Sequence, residues 1–156
     1  MTTLVLLILV LGGAVSMADA QAPSPAARPK LPLVLLPDTL AICRLGADAS
    51  IPSWATEPGS FVTISRTRDE LSITTVEANV PSDIRCERDY RIFKVQGPLP
   101  LNLVGILASI ADPLADAGLS IFAISTFDTD YVMVKAAALD SAVAVLTRAG
   151  HTIETL

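Results

Sequence analysis

Gly118 to Lys135 restricts the fold more than any other stretch. Ile121 to Ser125 is rich in Ile and Phe, and Tyr131 to Val134 is rich in Val. Both read as strands, and the polar run between them turns near Asp128 and Thr129, which makes a hairpin. The turn, Ser125-Thr126-Phe127-Asp128-Thr129-Asp130, concentrates hydroxyls and carboxylates beside an aromatic ring. Such a cluster can grip a small polar molecule, or it can simply close a turn.

A hairpin needs a core to lie on. Apolar residues are 51% of the 156, so the chain has material for one, yet aromatics are only 4%. The core must therefore rest on Leu, Ile, Val and Ala. The length suits one compact domain or two very small ones. Eleven basic residues against 16 acidic leave a formal charge of −5, with no basic run. This argues against nucleic acid and against an anionic membrane surface as partners. One histidine and two distant cysteines are no metal signature. Cys43 sits in an apolar run and reads as buried and inert, while Cys86 lies in a polar segment; a disulfide between them remains open.

Residues 1–20 form an apolar leader ending in Ala18-Asp19-Ala20, a small-x-small pattern like a cleavage site. The first Lys or Arg is Arg28, so the usual positive start is missing. Two readings stand: a signal peptide cleaved after Ala20, or a start site placed too early. The apolar run is short for a membrane span. Residues 21–32 read as a Pro/Ala linker.

Leu40 to Leu45 is then a strand, Ile51 to Ala55 one helical turn, and Phe61 to Thr67 with Leu71 to Val76 a hairpin. Residues 81–89 are polar and divide the chain. Tyr90 to Gln96 is a strand broken by Gly97-Pro98-Leu99-Pro100. Asn102 is placed to cap a helix whose apolar face is Leu103, Ile106, Leu107, Ile110 and Leu114. Pro113 is expected to kink it or start a new turn, and Gly118 to end it. After the hairpin, Asp140 or Ser141 caps a last helix with inner residues Ala142, Val145, Leu146 and Ala149. Thr152-Ile153 is a closing strand, with His151 expected at its exposed edge. The second half thus runs β-α-β-β-α-β, a ferredoxin-like order. Strand, short helix and hairpin in the first half look like a reduced copy of its start.

That order, with several strings, resembles the ACT domain, in particular paired-ACT proteins related to CASTOR-type amino-acid sensors and aspartate kinase regulatory domains. The strings are Leu40 to Leu45, Ser65 to Ile73, Gly97-Pro98-Leu99, Gly105 to Ile110 and Ser125 to Val132. They span residues about 33–153. The resemblance implies an α+β fold of two tandem ferredoxin-like ACT units, with antiparallel sheets and helices on one face. The units would occupy 33–80 and 90–156, joined by a loop at 81–89. It also implies a non-catalytic regulatory module that binds an amino acid or similar small molecule between units. By resemblance, the ligand meets Gly97 and Pro98, then Leu103, Val104, Gly105 and Ile106, then Thr126, Phe127 and Asp130. In CASTOR-type sensors the string like Thr126-Phe127 to Asp130 helps hold a cationic side chain. With only two units here, a complete site calls for a homodimer. The resemblance tilts location toward the cytoplasm, with secretion through the leader as the alternative.

The residues support such a site on their own terms. A helix start near Leu103 offers free backbone N–H groups to a carboxylate. Gly97 and Gly105 permit close approach to the backbone. Asp130, or Asp128 within the turn, can pair with an ammonium group. Catalysis finds little support: Ser125 or Thr126 as nucleophile lacks a nearby base, and no phosphate-binding glycine loop is present. No metal or cofactor is expected. The alternative is an interaction protein that keeps the fold and binds no small molecule.

Overall fold

A computed structural model describes residues 28–156. The leader and residues 21–27 of the linker lie outside the described residues. The strands are β1 (Pro32–Leu35), β2 (Leu40–Leu45), β3 (Thr63–Arg66), β4 (Leu71–Val76), β5 (Cys86–Val95), β6 (Phe122–Ser125), β7 (Asp130–Lys135) and β8 (Thr152–Thr155). The helices are α1 (Ile106–Asp116) and α2 (Leu139–Arg148). The α+β, ferredoxin-like fold is the one the sequence implied, but all eight strands join one continuous sheet.

β5 makes the sheet continuous. Its first half pairs with β2, placing Cys43 opposite Cys86 and Leu40 opposite Tyr90. Its second half pairs with β1, placing Leu33 opposite Val95 and Leu35 opposite Phe93. β7 runs along its other side from Tyr90↔Lys135 to Lys94↔Tyr131. The change of partner coincides with a register shift against β2, and Asp89 there takes a φ of 62°. Asp tolerates this left-handed conformation better than most residues. Glu77 accepts the Asp89 N–H at 2.7 Å and so holds the kink. At the same edge Lys135 lies 4.2 Å from the centre of the Tyr90 ring and 3.1 Å from Glu87. Partial burial opposes its charge, but the Glu87 hydrogen bond and the Tyr90 and Glu87 charges outweigh it, and the ammonium titrates above its ordinary range.

β5 begins at Cys86, inside the polar stretch expected to be connecting loop. β1 pairs with β5 and, in parallel, with β8. The first apolar run therefore completes the sheet of the C-terminal half. Leu33 and Leu35 alternate inward beside Phe93, Val95, Val132 and Val134. On that face α1 contributes Ile106, Ile110 and Leu114, and α2 contributes Ala142 and Leu146. The opposite face carries Leu40, Ile92 and Met133 under Phe61, whose ring lies 4.7 Å from Tyr131. The central strands are covered on both sides, which is why β7 reads as a continuous Val/Met run.

Helix boundaries differ from the sequence expectation at both starts. α1 begins at Ile106 with Gly105 as its N-cap, so Asn102 caps nothing and Leu103 lies outside the helix. Pro100 C=O accepts the Leu103 N–H at 3.1 Å, a turn that delays the helix. α2 begins at Leu139, out of a 3-10 turn over Ala136–Ala138, with no side-chain cap. Asp140 therefore lies in its first turn. Pro113 sits within α1, which continues through it to Asp116.

His151 corrects an expectation outright. It is 4% exposed, not at a solvent edge. Leu31 N–H donates to its Nδ1 at 3.1 Å, which leaves the proton on Nε2, and Nε2 donates to the Ser109 carbonyl at 3.0 Å. That carbonyl is free because Pro113, four residues on, has no N–H to give it. One imidazole thus ties β1, α1 and the start of β8 together.

The cysteines are bonded to each other. Cys43 is buried as expected but is not a free thiol, and no free cysteine is present among the described residues.

Candidate functional site

Three segments converge at one end of the C-terminal half. The first is the loop after β5, residues 97–105. The second is the first turn of α1. The third is the β6–β7 turn. Hydrogen bonds fix their relative positions. Asp128 C=O accepts the Leu99 N–H at 2.8 Å. Thr129, 6% exposed, donates its hydroxyl to the Val95 carbonyl at 2.5 Å. Thr129 C=O accepts from both the backbone N–H and the hydroxyl of Thr126. The turn is therefore pinned to the end of β5 at two points.

Between these segments lies a cavity of about 360 Å³, near the low end of the roughly 300–1,000 Å³ of small-molecule sites. Leu99, Leu101, Leu103, Ile106 and Leu107 give it an apolar wall. Ser125, Thr126, Thr129 and Asp130 face them from the hairpin, with Phe127 at the rim. Asp130 accepts the Ser125 hydroxyl at 2.5 Å, which orients one carboxylate oxygen and leaves the other available. α1 has neither a capping side chain nor an acidic residue in its first turn. Its leading N–H groups and the positive end of its dipole are uncompensated by side chains there.

Of the sequence-stated residues, Leu103, Gly105, Ile106, Thr126, Phe127 and Asp130 line this cavity. Gly97 is outside the lining and lies against the β6–β7 turn: a Cβ there would meet Asp128 O at 2.8 Å. Pro98 and Asp128 line an adjoining hollow that shares Leu99, Pro100, Leu101 and Phe127 with the cavity. Val104 is 91% exposed and lines neither. Gly105 has φ 87° and starts α1, a conformation that glycine supplies without strain. Sequence reasoning passed over Leu99, Pro100, Leu101, Leu107, Ala108 and Thr129. A signal for the first three was present: a loop between strand and helix is seldom as apolar as Pro98 to Leu101.

The lining is chemically lopsided. Among the described residues its one ionisable side chain is Asp130, and no Lys, Arg or His contributes. Leu101 and Phe127 in the lining are 74% and 79% exposed, and Val104 beside it is 91% exposed. Among the described residues no group of three or more His, Cys, Asp or Glu side chains could hold a metal ion. No described helix is long and apolar enough to cross a membrane.

No curated protein matches the chain. Solved structures do. The protein Atu0741 of Agobacterium tumefaciens is 38% identical, with a TM-score of 0.77 over 82% of this chain and 95% of that one. A protein of unknown function from Vibrio cholerae, VC0802, is 15% identical, with a TM-score of 0.63 over 77% of this chain and 90% of that one. Aspartate kinase from Synechocystis is 18% identical, with a TM-score of 0.54 over 82% of this chain but 28% of the kinase. The last two show likeness of fold. A family model described as ACT domain matches residues 85–148, and one described as an N-terminal domain matches 38–83. The first of these covers β5 through α2, the strands and helices that form the cavity: the chain is an ACT domain protein, with its ACT domain at residues 85–148.

Proposed function

We propose that this chain is a non-catalytic regulatory module that binds a small ligand, an amino acid, at an interface between ACT units. The observation that carries the reading is the cavity itself. It sets an uncapped helix start and a single oriented carboxylate, Asp130, around a space of about 360 Å³. A zwitterion offers the opposite pair of charges, a carboxylate for the helix N–H groups and an ammonium for Asp130. The exposed Leu101, Val104 and Phe127 beside the opening support a homodimer in which a second copy closes the site. Ligand binding then favours the assembled state and shifts its population. The same exposed residues favour the second reading, an interaction protein with this fold and no small-molecule ligand.

A thermal-shift screen of the protein against the twenty amino acids tests the first reading, with Asp130→Ala as control. Ligand at 100 times its dissociation constant adds about 2.7 kcal/mol of stability. A shift with one or a few amino acids, absent in the variant, supports it. Silence from all twenty leaves the interaction module.

We also propose an oxidising compartment as the place of work. The Cys43–Cys86 disulfide supports the secreted alternative over a cytoplasmic one, because reducing cytosol opposes such bonds. Sequencing the mature protein decides: a terminus at Gln21 supports export, whereas an intact leader on a reduced chain returns the protein to the cytoplasm.

A further inference from the structure

Resting on the amino-acid-binding reading, we infer that the ligand is an amino acid with an uncharged, apolar side chain. The inference comes from counting charges against surface. Asp130 is the lone ionisable group among the described residues that line the cavity, and its free oxygen is claimed by the ligand ammonium. Once that pair forms, a lysine or arginine side chain finds no second carboxylate. Asp128 is not in that lining; it borders the adjoining hollow, which meets the cavity along Leu99, Pro100, Leu101 and Phe127. An aspartate or glutamate side chain finds no cation among the lining residues of this copy. What remains for the side chain is the wall of Leu99, Leu101, Leu103 and Leu107. A charged group placed against that wall loses hydration without a partner, whereas an aliphatic chain gains by leaving water. This departs from the cationic ligand that the resemblance to CASTOR-type sensors suggested.

Titration calorimetry of the full protein with leucine, methionine, phenylalanine, lysine, arginine, aspartate and glutamate provides the test. The apolar group is expected to bind at least about tenfold tighter than the charged group, a step of the size one or two methylenes give in an apolar pocket. Leu103→Asp is expected to weaken leucine by a similar factor, and Asp128→Asn to leave it unchanged. Leu103 is half-exposed and outside α1, so the variant spares the core. Tightest binding by lysine, arginine, aspartate or glutamate overturns the inference and leaves the amino-acid site standing. An affinity for leucine that ignores Leu103→Asp also overturns it. Absence of heat with every amino acid removes the site on which the inference rests.

Discussion

The two halves of the sheet reach stability by different means. The C-terminal half has a helix layer: α1 and α2 cover β1, β5 and β7, and a dozen buried residues form one cluster beneath them. The N-terminal half, β2 to β4, has no α-helix. A single 3-10 turn at Ser53–Thr56 stands in for one; Leu40 and Phe61 pack with Ile92 and Met133 of the other half, and its remaining buried residues split into two small clusters around Cys43 and around Leu71 and Ile73. What it lacks in burial it makes up by covalent attachment and by sharing β5. The disulfide ties β2 to the start of β5 and closes a loop containing almost the whole half. A strand pattern alone does not make a stable unit; a sheet face needs a cover or an anchor.

Removing the anchor is the largest expected break in this contrast. The cysteines are 43 positions apart, and closing a loop of that length restricts the unfolded chain by about 4 kcal/mol. The double variant Cys43→Ser, Cys86→Ser is expected to lose about that much in denaturant unfolding. Hydrogen exchange should show protection falling first at β2 to β4, with β6 and β7 retaining theirs. An even loss across both halves would show that the sheet opens as one body and that the contrast is only apparent.

The C-terminal half has its own tie, polar instead of covalent. His151→Ala strands the buried Leu31 N–H and Ser109 C=O. The expected cost is about 3 kcal/mol, from two unsatisfied groups. Protection should now fall at β1 and α1, the reverse of the disulfide variant. His151→Gln, which can still accept and donate, should recover part of the loss. If glutamine does no better than alanine, the ring contributes by packing and the hydrogen bonds matter little.

These ties differ in how well the sequence advertised them. β2 and β4 were legible to the residue, because Leu40 to Leu45 and Leu71 to Val76 are bounded by turn chemistry at both ends. The hairpin of β6 and β7 was legible for the same reason. The role of β1 was not: four apolar residues after a Pro-rich stretch do not say which sheet edge they will fill, since pairing partners are set by long-range geometry. His151 was misread because its partners are 120 and 42 positions away. Only Pro113 hinted at it, by leaving the carbonyl of Ser109 unclaimed. At the site, the polar half showed in the cluster Ser125 to Asp130, but of the apolar wall only Leu103 and Ile106 showed, because the turn at Pro100 to Leu103 displaced the helix start past Gly105.

Smaller effects sharpen the comparison at the cavity, where two glycines are required for unlike reasons. Gly97→Ala puts a Cβ 2.8 Å from Asp128 O and 3.2 Å from the Thr129 Cβ. One side of that contact is backbone, so the loop or the turn must move, at about 2 kcal/mol for an overpacked contact. Ligand affinity should fall as well, because the Leu99–Asp128 hydrogen bond spans the same gap. Gly105→Ala is milder. Its Cβ would meet only Pro29 Cδ at 3.7 Å, an ordinary contact, so the cost is the backbone strain of φ 87°, about 1 kcal/mol. Asparagine separates the two cases. It visits the left-handed region more readily than alanine, so Gly105→Asn should be more stable than Gly105→Ala. At position 97 the obstacle is space, and the larger asparagine should be no better than alanine. Urea midpoints of the four variants measure this directly. If asparagine rescues both positions, the close approach of Gly97 to the turn is not what holds the loop against the hairpin, and the floor of the cavity is softer than its hydrogen bonds imply. If it rescues only position 105, the loop and turn form a rigid floor while the start of α1 is set by one backbone angle.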